Sequence, residues 1–395
     1  MISKNMQQEV AGSSAIRAMF LEGKEMAAKI GAENVYDFSL GNPMTPVPAE
    51  YNQAIIDAVQ TESSLDLHGY MDNAGYPETR KAVADNLNQR FGTDFEGKHI
   101  TMTVGAAGAL NIVFKSILDP GDEVLALAPY FGEYRGYVAN HQGILKEVAP
   151  NTDTFQPDFE DLKNKITEKT KAVIINNPVN PTGVVYSEET IQTIAGIMEE
   201  KQKAYRHEIY MVSDEPYREL VYDGNTVPFL TKYYDNTFVT YSFSKSLSIP
   251  GERIGYVAVS PSMADCEQAC SALSVANRIL GFVNAPSLMQ KAVTKAIDAT
   301  TDVAYYDRNR KLIYDKLIAL GFTCAKPQGA FYLFIKSPDA DEKAFVQTAK
   351  KYHILLVGGT TFSCPGYVRL AYCVSYEMIE RSLPAFEKLA KEYGL

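Results

Sequence analysis

The sequence predicts an α/β chain: a mostly parallel sheet with helices on both faces, followed by a smaller α+β domain. Two observations carry this. Between about residues 100 and 260 short apolar runs alternate with amphipathic stretches, the pattern of parallel strands joined by crossover helices. After about residue 286 the order changes to a helical stretch, then strand pieces, then a final helix. A third observation sets the scale. At 395 residues, with 46% apolar and 22% charged composition, the chain exceeds one ordinary domain and can bury a large core. The expected division is an N-terminal arm with part of the small domain over 1–45, a large domain over 46–285 and a small C-terminal domain over 286–395.

Taken in order, Ser14 to Ile30 is amphipathic, with Ile16, Phe20 and Ile30 on one rough helical face, and reads as an arm that packs on a partner. Core strands are expected at Ile100–Thr103, Glu123–Leu127, Ala172–Asn176, Ile209–Ser213, Phe238–Tyr241 and Ile254–Val259. A helix over Gly108–Leu118 is closed by the turn Asp119-Pro120-Gly121-Asp122. Beyond residue 286, helix is expected to about Leu320. Strand pieces follow around Gly329–Ile335, His353–Val357 and Tyr367–Tyr372, and a last helix through Met378–Tyr393.

The net charge of −10 and the lack of a basic stripe argue against a nucleic-acid partner, which needs clustered cations to displace counterions. The first thirty residues lack the apolar core of a signal peptide, and no run of about 18 apolar residues suits a membrane span. A cytoplasmic protein is expected. Cys266 and Cys270 form the only close cysteine pair, and no second Cys or His pair follows at ligand spacing, so no metal site is expected.

Chemistry is concentrated at the carboxyl ends of the expected strands, where open α/β sheets bind ligands. Lys245, in Ser242-Phe243-Ser244-Lys245-Ser246, directly follows the run Thr237-Phe238-Val239-Thr240-Tyr241. A lysine so placed can condense with an aldehyde such as that of pyridoxal phosphate. That cofactor also needs a phosphate cup, a partner for its ring nitrogen and a stacking face. Thr103-Val104-Gly105-Ala106-Ala107-Gly108 turns on small residues into a helix, so the N–H groups of Ala106 and Ala107 can face an anion, although such turns often serve packing alone. Arg253 and the Ser242 hydroxyl add charge and a donor.

Asp214 ends the run Ile209-Tyr210-Met211-Val212-Ser213 and places a carboxylate where a protonated ring nitrogen can meet it; a helix N-cap is the competing role. Tyr217, three residues on, and Asn180, in Asn177-Pro178-Val179-Asn180-Pro181-Thr182-Gly183, can both reach the ring oxygen. Phe131, in Pro129-Tyr130-Phe131-Gly132, is the candidate stacking face. Arg369 lies in the apolar run Tyr367-Val368-Arg369-Leu370-Ala371 and must find an anion, either a substrate carboxylate or a structural partner.

These segments resemble the class I/II aminotransferases, the pyridoxal-phosphate-dependent fold-type-I family that includes aspartate and aromatic aminotransferases. The resemblance runs from Phe38-Ser39-Leu40-Gly41-Asn42-Pro43 through Tyr70, Gly75, Gly105, Asn180, Asp214, Tyr217, Lys245 and Arg253 to Pro327-Gln328-Gly329-Ala330-Phe331-Tyr332 and Arg369. It implies a seven-stranded sheet and a large domain that holds the cofactor. Lys245 would be the Schiff-base lysine and proton shuttle, with Asp214 on the ring nitrogen, Asn180 and Tyr217 on the ring oxygen, and Phe131 on the ring face. Ala106, Ala107, Ser242, Ser244 and Arg253 would hold the phosphate, with Tyr70 reaching that of a neighbouring subunit in a homodimer that shares its active sites. Arg369, Asn180 and the backbone near Gly41 would hold the substrate carboxylate.

The reaction implied is ping-pong transfer of an amino group from an L-amino acid to a 2-oxo acid such as 2-oxoglutarate. A carbon–sulfur β-lyase on the same fold is the alternative. Arg278 lies near where some relatives place a substrate-binding arginine, without a clean local match.

Overall fold

The computed structural model describes residues 2–11 and 15–395. Helices Lys4–Ala11 and Ala15–Ile30 form the start of the chain; Ser14, the expected beginning of the amphipathic arm, lies outside the described residues. The strands that follow are β1 (Tyr36–Asp37), β2 (Ile100–Thr103), β3 (Glu123–Leu127), β4 (Ile144–Val148), β5 (Thr170–Asn176), β6 (Tyr210–Asp214), β7 (Thr237–Ser242), β8 (Gly255–Val259), β9 (Tyr332–Lys336), β10 (Ile354–Leu355), β11 (Val357–Gly358) and β12 (Tyr367–Ala371).

A seven-stranded sheet has the order β2-β8-β7-β6-β5-β3-β4, and every neighbouring pair is parallel except those of β8, which runs against both β2 and β7. Central strands such as β5 read as continuous apolar runs because helices cover both faces. Period-two alternation then sends neighbours to opposite cores. In β3, Val124 and Ala126 pack with Ile112, Val113 and Phe114, whereas Leu125 and Leu127 pack with Ile191, Ile194 and Met198. The expected strands coincide with β2, β3, β5, β6, β7 and β8 to within about two residues.

Sequence reading passed over the two-residue β1 and, in the large sheet, β4. β4 is an edge strand, half-exposed along most of its length, and Lys146 pairs with Glu123 at 2.7 Å. Its Ile-Leu-Lys-Glu-Val run has neither the continuous apolarity of a core strand nor clean alternation. Polar edge residues of this kind also discourage pairing with another chain.

β8 can return beside β7 only because Gly255 lies opposite Ser242: a Cβ there would sit 2.2 Å from the Tyr241 carbonyl oxygen. Downstream, β11, β12 and β9 make a three-stranded antiparallel sheet, and β1 pairs with β10 in parallel. Leu333, Val368 and Leu370 of that small sheet share a core with Ile313, Phe386 and Leu389 from helices Val303–Ala319 and Tyr376–Glu392. Helix Ser287–Lys295, which follows the expected boundary at residue 285, buries Met289, Ala292 and Val293 with Tyr51, Ala54 and Val83 from helices Ala49–Thr61 and Pro77–Phe91.

Candidate active site

A cavity of about 320 Å³ opens where the carboxyl ends of β5, β6 and β7 meet the small sheet. Register explains the convergence. Asn176 and Asp214 are paired at the ends of β5 and β6, and Ser242 closes β7. The first turn of helix Gly105–Ile117 contributes Ala106 and Ala107, while Tyr332 of β9 and Arg369 of β12 face them from the other side.

Asp214 is buried at 4% exposure. Its Oδ2 accepts a hydrogen bond from the Tyr134 hydroxyl at 2.5 Å, with Asn176 Nδ2 at 3.5 Å, but the buried Oδ1 has no partner among the described residues. The neighbouring Thr240 hydroxyl donates instead to Ser213 O at 2.9 Å. Burial pushes the Asp214 carboxyl up to about 7 despite the Tyr134 bond.

Lys245 Nζ donates to Gly41 O at 2.7 Å and lies over the Phe331 ring at 5.4 Å. Burial lowers its pKa to about 8, and the Arg253 and Arg369 guanidinium groups act in the same direction.

Arg253 is exposed and, among the described residues, makes no ion pair; its guanidinium donates only to the carbonyls of Pro250 at 3.1 Å and Val104 at 3.2 Å. It lies directly over the start of helix Gly105–Ile117, since a Cβ on Gly105 would meet its Nη2 at 2.8 Å. A helix start has N–H groups without intrahelical partners, and a cation held beside it without a carboxylate suits a phosphate. The Ser242 and Ser244 hydroxyls are 2.7 Å apart on the adjoining turn, which Ser242 caps.

Arg369 is 2% exposed and donates to Ser39 O at 2.7 Å and Asn180 Oδ1 at 3.1 Å, while its Nε has no partner among the described residues. Its guanidinium stacks on Tyr332 at 4.5 Å and Phe362 at 4.8 Å. A buried cation met only by neutral oxygens can accept a carboxylate without first breaking an ion pair.

The cavity thus gathers Gly41, Ala106, Ala107, Phe131, Asn180, Asp214, Tyr217, Ser242, Ser244, Lys245, Arg253 and Arg369. Tyr70 is 93% exposed and does not line it, and Arg278, exposed near the end of helix Cys266–Ile279, does not either. Sequence reading missed Asn176, Tyr332 and Tyr134. Asn176 carried a legible signal, a polar residue closing a core run, as Asp214 does; Tyr134 falls three residues after Phe131.

These residues fit pyridoxal 5'-phosphate: the unpartnered Asp214 Oδ1 suits a protonated ring nitrogen, and Arg253 with the helix start suits the phosphate. A family model described as aminotransferase class I and II matches residues 32–386. A curated relative from Aquifex aeolicus, a probable aspartate/prephenate aminotransferase, is 32% identical over 94% of each chain. A solved aminotransferase structure from Eubacterium rectale is 47% identical, covers 100% of both chains and superposes with a TM-score of 0.97. Aspartate aminotransferase from Thermus thermophilus, solved with maleate, is 27% identical over 98% of this chain and 99% of its own, with a TM-score of 0.87.

Sequence, sheet order and cavity agree, and the chain belongs to the class I and II aminotransferases. It is a pyridoxal-phosphate-dependent transaminase that acts on amino acids.

Proposed function

We propose that the enzyme is of the aspartate or aromatic type, takes 2-oxoglutarate as acceptor, and works as a cytoplasmic homodimer with shared active sites. The observation that carries the site assignment is the placement of three groups on one cavity: a buried carboxylate with a free oxygen, a lysine of lowered pKa and a buried arginine with no carboxylate partner. The names of the relatives support an acidic donor. Exposure of Tyr70 at 93%, Leu65 at 85% and Ile279 at 58% supports a covering subunit. Matching relatives are named aminotransferases, which does not favour the lyase alternative. The division into a large and a small unit belongs to the same proposal, with the boundary moved from 285 to after Lys295, because the side chains of helix Ser287–Lys295 lie in the larger unit's core.

Bound in the cavity, pyridoxal phosphate supplies an aldehyde and an electron-accepting ring. Asp214 would hold the ring nitrogen, and Tyr217 and Asn180 the ring oxygen. Phe131 would stack on the ring, and Ala106, Ala107, Ser242, Ser244 and Arg253 would hold the phosphate, joined by Tyr70 of a second copy. Arg369 orients the substrate carboxylate with Asn180 and the Gly41 backbone. Lys245 would be the base that holds and moves the proton of the substrate α-carbon.

An absorbance scan of the loaded protein tests this. L-aspartate or L-tyrosine should bleach the visible cofactor band, and 2-oxoglutarate should restore it. Pyruvate release from L-cystathionine with no acceptor present would instead favour the lyase. Lys245→Ala should abolish turnover and leave the far-ultraviolet circular dichroism unchanged.

A further inference from the structure

We propose that Tyr332 is a positioning residue for Tyr217: its phenol donates to the Tyr217 hydroxyl and thereby aims the Tyr217 proton at the cofactor ring oxygen. The inference rests on the reading that places Tyr217 at that oxygen.

Tyr332 opens β9, is 2% exposed and lines the cavity. The two phenolic oxygens are 2.7 Å apart, and neither has another hydrogen-bond partner among the described residues. Each phenol has one proton to donate, and only one proton can lie between them. If Tyr217 donates to Tyr332, it has nothing left for a ligand. If Tyr332 donates, the Tyr217 proton is free to face the cavity, and every hydroxyl in the chain is used.

The surroundings select the second arrangement. Tyr332 is pinned by the main chain at Gly41, where an added Cβ would lie 2.1 Å from its hydroxyl oxygen, and by the Arg369 guanidinium 4.5 Å from its ring. Burial raises both phenols and the Arg369 guanidinium opposes that rise at each, so the proton count makes the choice: a Tyr217 donor would leave the buried Tyr332 proton with no acceptor among the described residues. A donor to Tyr217 strengthens the bond that Tyr217 makes in turn. β9 carries Tyr332 and pairs with β12, placing Phe334 opposite Arg369 and Tyr332 opposite Ala371, so one sheet register sets both the carboxylate clamp and this phenol.

A hydrogen bond to the ring oxygen favours the more negative, deprotonated form of the resting chromophore, so losing it raises the pKa of the visible band. Titrating that band with pH in the resting, loaded enzyme reads the effect without turnover. Tyr217→Phe should raise the pKa by about 1–2 units, from the strength of a hydrogen bond to a charged group. Tyr332→Phe, which keeps the ring packed on Phe331, should raise it by about 0.3–0.7 unit, the cooperative share. In the double variant the Tyr332 change should add nothing, since the chain is already broken.

3-Fluorotyrosine at position 332, a more acidic phenol, should lower the pKa and provides a second reading if the phenylalanine variant folds poorly. An unchanged pKa in Tyr217→Phe would overturn the assignment of Tyr217 itself. A normal Tyr217→Phe shift, with no shift for Tyr332→Phe and none for the fluorinated residue, would overturn the role of Tyr332 alone.

Discussion

The Lys245 amine should titrate near pH 8 in the cofactor-free protein. Two contacts favour its charged form: the 2.7 Å bond to Gly41 O and the Phe331 face at 5.4 Å. Burial and the guanidinium groups of Arg253 and Arg369 oppose them and win, moving the pKa from 10.5 to about 8. That shift corresponds to about 3 kcal/mol of destabilised ammonium. The neutral, nucleophilic fraction at pH 8 is then about one half, against about 0.3% for an ordinary lysine, a gain of roughly 150-fold in reactive amine. Competitive acylation with trace labelled acetic anhydride, read peptide by peptide in a mass spectrometer, gives the midpoint for this residue directly. Reactivity should rise tenfold per pH unit below 8 and level off above it. Reactivity still climbing tenfold per unit between pH 8.5 and 10 would refute the argument that burial dominates.

Asp214 carries the opposite consequence for stability. Its folded pKa is raised above the unfolded value, so its contribution is intact below about pH 4 and lost as pH rises through about 7, at a cost of up to about 4 kcal/mol. Cofactor-free Asp214→Asn should therefore resist urea better than the parent at pH 8 and equally at pH 4, while the loaded variant loses most of its turnover. Glu342 is buried and accepts from Thr360 N at 2.7 Å, Thr360 Oγ1 at 2.6 Å and Gly366 N, so Glu342→Ala should cost about 2–4 kcal/mol in urea unfolding by stranding those donors. Arg369→Lys should raise KM for amino and oxo acids roughly 100-fold, because a point charge replaces a two-pronged donor, and steady-state kinetics should show cofactor affinity unchanged.

The large sheet was legible because its strands are covered on both faces and therefore read as uninterrupted apolar runs, and because the polar residue ending such a run marks the ligand edge. Asp214 and Ser242 follow from that rule alone, and Lys245 lies on the turn that Ser242 caps. β4 was not legible, since an edge strand has no apolar signal to give. The Tyr332 phenol was not legible as a partner of Tyr217 because the two are 115 residues apart and meet only when the small sheet closes over β6. Tyr70 marks a different limit: its exposure in a single copy leaves the role implied by the family resemblance to an assembly.

The reversal of β8 separates two mechanical duties. Because β7 and β8 are antiparallel neighbours, Ser242, Ser244, Lys245 and Arg253 all ride on the one connection between them, whose ends are locked by the Ser242–Gly255 pairing. The spacing between Lys245 and the Arg253 guanidinium is thus a local property of that connection. The spacing between the lysine and Arg369, by contrast, depends on how the three-stranded sheet sits on the seven-stranded one. A tilt of the small sheet would therefore move Arg369 and Tyr332 relative to Lys245 while the spacing of Lys245 and Arg253 stayed fixed by their own connection.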